Sequence, residues 1–283
     1  VGHLRSLWYG ALARALALRP DGAHVDVRQA SDAGDDSVDA GLLADCQAHR
    51  LAGALLAAPL PGFTRLLRDR APGFPVVHLS GPPDRDGHGF AVASPADLVV
   101  AALVSRRRSR LALFGTFMHS GTLVPDVIAK AQAAGLRCEP EWVHVLDPRT
   151  PDIARGIARL LATLPAGRRP DALYISDDHL ATAATAGLHD ATLRSPEDID
   201  ILCHANIPFP PPTCLPVAYV GYDAIDLMRA GLGALERLIA GQAVPACMPF
   251  LPILCTAAEM AQRQHAASQA ESNAGTSSPT SGP

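Results

Sequence analysis

The stretch that decides the fold is residues 170–181, PDALYISDDHLA. Its apolar part, residues 172–175, predicts a buried strand, and the polar tetrad Ser176-Asp177-Asp178-His179 follows where that strand ends and a helix over 178–188 begins. A carboxylate at the start of a helix can cap its free backbone N–H groups. It can equally accept hydrogen bonds from a hydroxylated ligand, because open α/β sheets bind ligands at the carboxyl ends of their strands. The residues alone leave both interpretations open.

Outward from this stretch, apolar strands alternate with amphipathic helices, which is typical of βαβ units. The second half of the chain has predicted strands at 111–115, 142–145, 172–175, 199–203 and 217–220, and predicted helices at 124–134, 152–164, 178–188 and 222–240. The first half has predicted strands at 24–29, 51–57, 75–79 and 89–93, and predicted helices at 4–18, 36–50, 62–70 and 94–104. The fold class is therefore α/β, with a mainly parallel sheet in each of two lobes.

The basic segment 106–110, RRRSR, lies between the two sets of elements and is predicted to mark a crossing between domains. We expect an N-terminal subdomain of residues 1–108 and 222–242 and a C-terminal subdomain of residues 109–219 and 244–258. The chain opens directly in a helix, so the first strand of the N-terminal subdomain is expected to be absent. Residues 264–283 are rich in Ser, Ala, Gly and Pro and lack an apolar period, which predicts a disordered tail.

Composition and motifs exclude several classes of protein. The chain has 283 residues, of which 48% are hydrophobic, and a net charge of −4, so binding of nucleic acid through bulk positive charge is excluded. No window has the ~18 consecutive apolar residues of a membrane span. The six cysteines form no C-x-x-C pair, and no G-x-S-x-G, H-E-x-x-H or phosphate-binding glycine motif is present. We therefore expect no enzyme activity, no cofactor and no metal.

Polar residues after several predicted strands form the candidate ligand site. Asp177 and Asp178 follow the strand 172–175, and His204 and Asn206 follow the strand 199–203. Four loops at strand ends can converge on one crevice. The remaining candidates are His3, Ser94 and His119, which lie at the equivalent ends of other strands. A lone histidine or serine in such a loop is more often a satisfied loop residue, so the case depends on their convergence.

Several local strings resemble the effector-binding core of the lactose-repressor (LacI/GalR) family of bacterial transcription regulators. Residues 170–181 are similar to the family's P-x-A-[apolar]-x-x-x-N-D-x-x-A segment, and residues 195–202, SPEDIDIL, to its V-P-E-D-I-S-[apolar] run. Residues 51–59, LAGALLAAP, and 74–78, FPVVH, resemble two further family strings. The resemblance extends over about residues 2–255, and it implies a two-lobed, periplasmic-binding-protein-like fold.

The resemblance also implies a function, with a changed ligand site. A small metabolite, sugar-like, would bind between the two lobes of a cytoplasmic homodimer and control operator DNA binding by a headpiece outside this chain. The family's sugar-gripping Arg falls near Leu123, and two of its Asp positions fall on Ala205 and Ser94, so a plain monosaccharide fits poorly. The alternative is a periplasmic sugar-binding protein that serves a transporter, which uses the same architecture.

Overall fold

The computed structural model describes residues 10–16, 25–27, 40–57, 61–80 and 87–275. The helices are α1 (10–16), α2 (Ala40–Gln47), α3 (Pro61–Arg70), α4 (Ala96–Ser105), α5 (Phe117–Ser120), α6 (Leu123–Ala133), α7 (Pro151–Ala162), α8 (Ala181–Asp190), α9 (Ala224–Ile239) and α10 (Ala257–Gly275). The strands are β1 (Ala54–Leu56), β2 (Val76–His78), β3 (His88–Val92), β4 (Leu111–Thr116), β5 (Val143–Leu146), β6 (Ala172–Ile175), β7 (Asp200–Ile207), β8 (Ala218–Asp223), β9 (Cys247–Phe250) and β10 (Ile253–Cys255). Two 3₁₀ turns lie at Pro140–Trp142 and Asp178–Leu180.

The chain divides into two compact units. The first consists of Val1–Ala93, Ala224–Leu251 and Gln269–Pro283, and the second of Ser94–Asp223 and Pro252–Ser268. The second unit contains a six-stranded sheet in the order β10-β8-β7-β6-β4-β5, in which only β10 is antiparallel to its neighbour. The first unit contains a four-stranded parallel sheet in the order β1-β2-β3-β9. The prediction of two mainly parallel sheets is therefore confirmed.

The central strands of the second unit are buried on both faces, which explains their continuous apolar sequences. Every residue of β4 and of β6 is buried. One face of this sheet packs on α7 and α8 around Phe114 and Leu188, and the other packs on α4 and α6 around Tyr174 and Val127. A parallel sheet with helices on both faces has this pattern, in contrast to the alternation of a half-exposed strand. The strand ends consequently carry the accessible polar groups.

The boundary between the units differs from the predicted one at residue 108. Helix α4 belongs to the second unit because Val99 and Leu103 are buried in the same apolar cluster as Leu111 of β4. The basic segment 106–110 does not separate two domains. Three of its four arginines make ion pairs within the second unit, and Arg106 donates hydrogen bonds to both carboxylate oxygens of the buried Asp200, at 3.0 and 3.2 Å.

Three further local predictions are corrected. Residues 25–27, inside the predicted strand 24–29, have no regular structure, and the rest of that strand lies outside the described residues. The predicted disordered tail from residue 264 is helical as far as Gly275, as the continuation of α10. Its alanines, with two glutamines and one glutamate, favour a helix even without an apolar period. Strand β7 continues to Ile207, four residues beyond its predicted end. The expected absence of a first strand concerns residues outside the described ranges.

Helices α2 and α3 pack over the start of the sheet, where Cys46, Leu56 and Leu67 form a small buried cluster. Within the described part of the chain, no helix combines the length and the apolar character that a membrane crossing requires.

Candidate functional site

The carboxyl ends of the central strands of the second unit bring the main candidate residues to one edge of the sheet. Strand β6 ends at Ile175, which is paired with Cys203 of β7, and β7 continues beside β8 as far as the pair Ile207–Asp223. The residues that follow Ile175 therefore lie beside the last four residues of β7. This register, which connects segments about thirty residues apart in sequence, creates the candidate site.

Asp177, Asp178 and His179 form a compact polar cluster at this edge. Asp177 is the N-cap residue of the 3₁₀ turn, and its Oδ1 accepts a hydrogen bond from the backbone N–H of His179 at 3.0 Å. Nδ1 of His179 lies 2.9 Å from Oδ1 of Asp177 and 3.0 Å from Oδ1 of Asp178. Nδ1 of His179 can donate a hydrogen bond to these carboxylates in the tautomer that carries the ring proton on this nitrogen. The cap expected from the sequence is formed, and one imidazole holds two carboxylates together.

The cluster is more deeply buried than surface acids usually are. The side chain of Asp178 is 5% exposed, that of Asp177 15% and that of His179 30%. Burial of carboxylates requires compensating hydrogen bonds, which the imidazole and the backbone N–H supply here. The donor atoms of these residues lie within 4.8 Å of one another, and their types are those that bind divalent cations. The same atoms already bond one another, so the geometry is equally that of a self-satisfied polar cap.

Strand β7 adds His204 and Asn206 to the site. Nδ2 of Asn206 donates a long hydrogen bond of 3.5 Å to Oδ2 of Asp178. The ring of His204 lies 6.0 Å from that of Tyr222 on β8, with 59° between the ring planes. These residues were predicted to lie in a loop after the strand, but they belong to the strand itself, because Ala205 and Ile207 continue its buried face and bond with β8.

Burial among apolar residues beside the site raises the pKa values of two side chains, Cys203 and Tyr222. Burial raises the pKa of the Cys203 thiol well above its ordinary value, and the charges of Asp178 and Asp177 raise it further. Burial also raises the pKa of Tyr222 to about 12. Both groups are therefore neutral at physiological pH, so Tyr222 can offer a hydroxyl donor to a ligand while Cys203 is an inert thiol.

The other candidates lie apart from this cluster or outside the description. Ser94 precedes α4, where its Oγ accepts a hydrogen bond from the Ala96 N–H at 3.3 Å and donates to Asp126 of α6 at 2.5 Å. Its polar contacts are thus with the first turn of α4 and with α6, as in a satisfied loop residue. His119 lies in α5, directly after β4, and its side chain is outside the description. His3 lies outside the described residues.

Two residues of the site were missed in the sequence analysis. His179 was read as part of the polar tetrad but was not chosen as a candidate, although its position two residues after Asp177 is the one that an Asx-type cap brings into contact. Tyr222 lies two residues beyond the predicted end of its strand. The alternation of Ala218, Val220 and Tyr222 could have extended that strand and identified the residue.

The sequence resembles characterised proteins over part of its length. Residues 100–256 match the family model of a periplasmic binding protein-like domain. A curated relative, the HTH-type transcriptional repressor PurR of Aliivibrio fischeri (strain ATCC 700601 / ES114), is 31% identical over 112 residues, which are 37% of this chain and 31% of the relative. The match therefore spans about a third of the length of that relative.

Solved structures show the same fold across most of the chain. A regulatory protein of the LacI family from Chloroflexus aggregans has a TM-score of 0.72 and 19% identity, covering 89% of this chain and 90% of that one. A LacI family transcriptional regulator from Arthrobacter sp. FB24, in complex with lactose, has a TM-score of 0.69 and 18% identity, covering 89% of this chain and 94% of that one. The fold predicted from the sequence and its resemblance is confirmed by these matches.

Proposed function

Since the chain belongs to the family of periplasmic binding protein-like domains, we propose that it is the ligand-sensing core of a LacI/GalR-type transcriptional regulator. It binds a small metabolite and thereby controls operator DNA binding by a DNA-binding headpiece. The observation that carries this proposal is the polar cluster of Asp177, Asp178, Asn206 and Tyr222 at the carboxyl ends of β6, β7 and β8, where sheets of this type bind ligands. The curated relative is a transcriptional repressor, which favours a regulator over a periplasmic transport protein.

The proposed ligand is a sugar or a sugar derivative. One solved regulator of the same fold is a complex with lactose. In this chain, carboxylates and the Asn206 amide can accept and donate hydrogen bonds to hydroxyl groups, and His204 with Tyr222 offers aromatic rings to the apolar face of a pyranose. Leu123 and Ala205 stand where the family resemblance implies polar sugar ligands. We therefore expect a derivatised sugar to bind more tightly than a plain monosaccharide, because each unpaired hydroxyl costs about 1–3 kcal/mol.

Control of DNA binding requires that the ligand distinguishes two states of the protein. A ligand with equal affinity for both states shifts no equilibrium, however tightly it binds. We propose that the regulator acts in the cytoplasm as a homodimer, so that a ligand-dependent change alters how two headpieces meet an operator. The proposal of allosteric control rests on the family and on the repressor relative. Allosteric control requires ligand binding at the site but no catalysed reaction there.

A thermal-shift screen tests this function. Monosaccharides, disaccharides, sugar derivatives and nucleosides are added singly, since a ligand at ~100 times its Kd adds about 2.7 kcal/mol of stability. We expect a hit whose shift disappears in Asp178→Asn and in Asn206→Ala. The matched control is Asp198→Asn, the same substitution next to the amino end of β7, which should keep the shift. A hit unaffected by the site variants, or a strong shift with every plain hexose, would contradict the proposed site.

The regulatory step is tested with the intact protein. The ligand found in the screen should change the affinity of that protein for its operator DNA, measured by fluorescence anisotropy. It should do so without changing the affinity of the Asp178→Asn variant. An operator affinity that does not respond to a bound ligand would favour the transport-protein alternative.

A further inference from the structure

Phe117 exposes an aromatic ring at the same edge of the sheet as the polar cluster. Among the described residues, eight large hydrophobic side chains are exposed, and Phe117 is the one aromatic residue among them. It directly follows the last residue of β4, and its side chain is 59% exposed. A single exposed apolar side chain is ordinary on a protein surface. Its position relative to the candidate site therefore decides whether it has a role.

The register of the sheet places Phe117 level with the polar residues of that site. Phe114 of β4 is paired with Ile175 of β6, and Ile175 is paired with Cys203 of β7. Level residues of neighbouring parallel strands lie side by side across the sheet. The positions three residues beyond these pairs therefore form one row along the edge of the sheet, and they are occupied by Phe117, Asp178 and Asn206.

Tyr222 of β8 extends this row, because it is paired with Asn206. The strands follow one another in the order β8-β7-β6-β4, and all four belong to the second unit. Adjacent strands are about 4.8 Å apart, so Phe117 and Tyr222 lie about 14 Å apart at the two ends of the row. Between them, Asn206 donates its hydrogen bond to Asp178. The row thus has an aromatic residue at each end and hydrogen-bonding groups in its centre.

A single sugar ring is too short to use the whole row. A pyranose ring spans roughly one inter-strand step of ~4.8 Å. A ring that packs its apolar face on Tyr222 can direct hydroxyl groups to the amide of Asn206 and the carboxylate of Asp178. The same ring does not reach Phe117, which would stay uncovered. A second ring, joined through a glycosidic bond, would extend along the row and cover it, which is favourable because apolar area leaves water.

We propose that the ligand of this protein is a glycoside of two rings, with a sugar ring on Tyr222 and the second ring on Phe117. This inference rests on the proposed function, and it names the size of the ligand and a residue that determines specificity. Asn206 and Asp178 bind the hydroxyl groups between the two aromatic residues. The second ring is a further sugar or a planar aromatic aglycone, since both present an apolar face to phenylalanine.

Three glycosides of one sugar test the length of the ligand. Calorimetric titration compares the methyl glycoside, the 4-nitrophenyl glycoside and a disaccharide, with glucose, galactose and mannose in turn as the shared sugar. The wild type should bind one of the two-ring compounds about tenfold more tightly than the methyl glycoside of the same sugar. The tighter of the two identifies the second ring as aromatic or as a sugar. Equal binding of methyl and two-ring glycosides, or no binding of any two-ring glycoside, would overturn the proposal.

Substitution of Phe117 tests its role. Phe117→Ala should raise the Kd of the two-ring glycoside about three- to tenfold and leave the Kd of the methyl glycoside within about twofold of the wild type. Phe117→Tyr keeps the ring and should retain tight binding. The matched control is Val104→Ala, which removes an exposed apolar side chain from the last turn of α4 and should bind both compounds like the wild type. Equal weakening of both compounds by Phe117→Ala, or no weakening of either, would refute the role of this residue.

Failure of this inference can be told apart from failure of the proposed function. A ligand whose binding depends on Asp178 but not on Phe117 would overturn the inference and leave the proposed site standing. A two-ring glycoside that binds through Phe117 but leaves the affinity for operator DNA unchanged would support the inference and refute the proposed regulatory step. Circular dichroism melting of all variants checks that the fold is retained.

Discussion

Tyr174→Phe should stabilise this protein, which is the opposite of the usual effect of a core substitution. The Tyr174 side chain is fully buried in the apolar cluster between the sheet and helices α4 and α6. Its hydroxyl has no hydrogen-bond partner among the described residues. Burial raises the pKa of Tyr174, which reflects the same apolar surroundings. The wild type therefore carries the desolvation cost of a hydroxyl without a compensating bond.

The size of the effect follows from this geometry. An unsatisfied buried polar group costs about 1–3 kcal/mol, and phenylalanine removes that cost while it keeps the ring and its packing. The space left by one oxygen atom is small, so the loss of contacts offsets only part of the gain. We expect a net gain of about 1–2 kcal/mol. For a domain of this size, that gain corresponds to an increase in Tm of roughly 2–8 °C.

Tyr219→Phe is the matched control. Tyr219 is also buried, in the cluster on the other face of the sheet, and its hydroxyl forms a hydrogen bond with the side chain of Thr213. The same chemical change here removes a satisfied hydrogen bond and leaves its partner alone. We expect a loss of about 0.5–1.5 kcal/mol. The two Tyr→Phe variants should therefore move stability in opposite directions.

Urea unfolding measures both changes. Trp142 is buried in the second unit and reports its unfolding by fluorescence, in a background in which Trp8 is replaced by phenylalanine. The midpoint should rise for Tyr174→Phe and fall for Tyr219→Phe, with unchanged m-values. A loss of stability in Tyr174→Phe comparable to that of the control would show that the Tyr174 hydroxyl is satisfied, and would refute the reasoning.

Three other predictions follow from the same unit. Asp200→Asn removes the buried negative charge that pairs with two arginines of the basic segment. Urea unfolding should therefore show a free energy of unfolding that is lower by about 2–3 kcal/mol. Gly187→Ala places a Cβ against a backbone carbonyl of α7, so thermal unfolding should show a free energy of unfolding that is lower by several kcal/mol. The control variant Gly233→Ala should leave that free energy unchanged or raise it by up to ~1 kcal/mol. Burial raises the pKa of Tyr222 to about 12, so its stabilising contribution is complete below the unfolded value of about 10 and is lost as pH rises from there to about 12. Tyr222→Phe should flatten that alkaline decline in stability, and an equally steep decline in the variant would contradict the burial of this hydroxyl.

The strands of the second unit could be predicted closely because their information is local. Strand β6 has the predicted bounds 172–175, and its four residues are all buried. A run of apolar residues with turn signals at both ends is sufficient to identify a strand that is covered on both faces. The bounds of β7 were wrong because its end depends on a neighbour. His204 and Asn206 are polar, but the ladder with β8 holds them in the strand.

The basic segment shows a different limit of sequence reasoning. RRRSR at residues 106–110 has the composition of an exposed linker, and nothing local indicates otherwise. Its arginines are placed by carboxylates far along the chain. Arg106 pairs with Asp200, 94 residues away, and Arg110 with Asp171, 61 residues away. Pairing over such distances becomes visible only when the parallel sheet has brought the amino ends of its strands together.

The candidate site combines both cases. Asp177 and Asp178 were identified from one local stretch, because a strand end that precedes a helix places polar groups at the edge of the sheet. Asn206 joins them only because β6 and β7 are adjacent in register, which brings its amide to Asp178 across 28 residues of sequence. Sequence spacing therefore predicts which loops can meet, and the register decides which side chains in them do. Ser94 shows the same limit, since it lies at a predicted strand end but its hydroxyl bonds with the backbone of Ala96 in α4 and with Asp126 of α6.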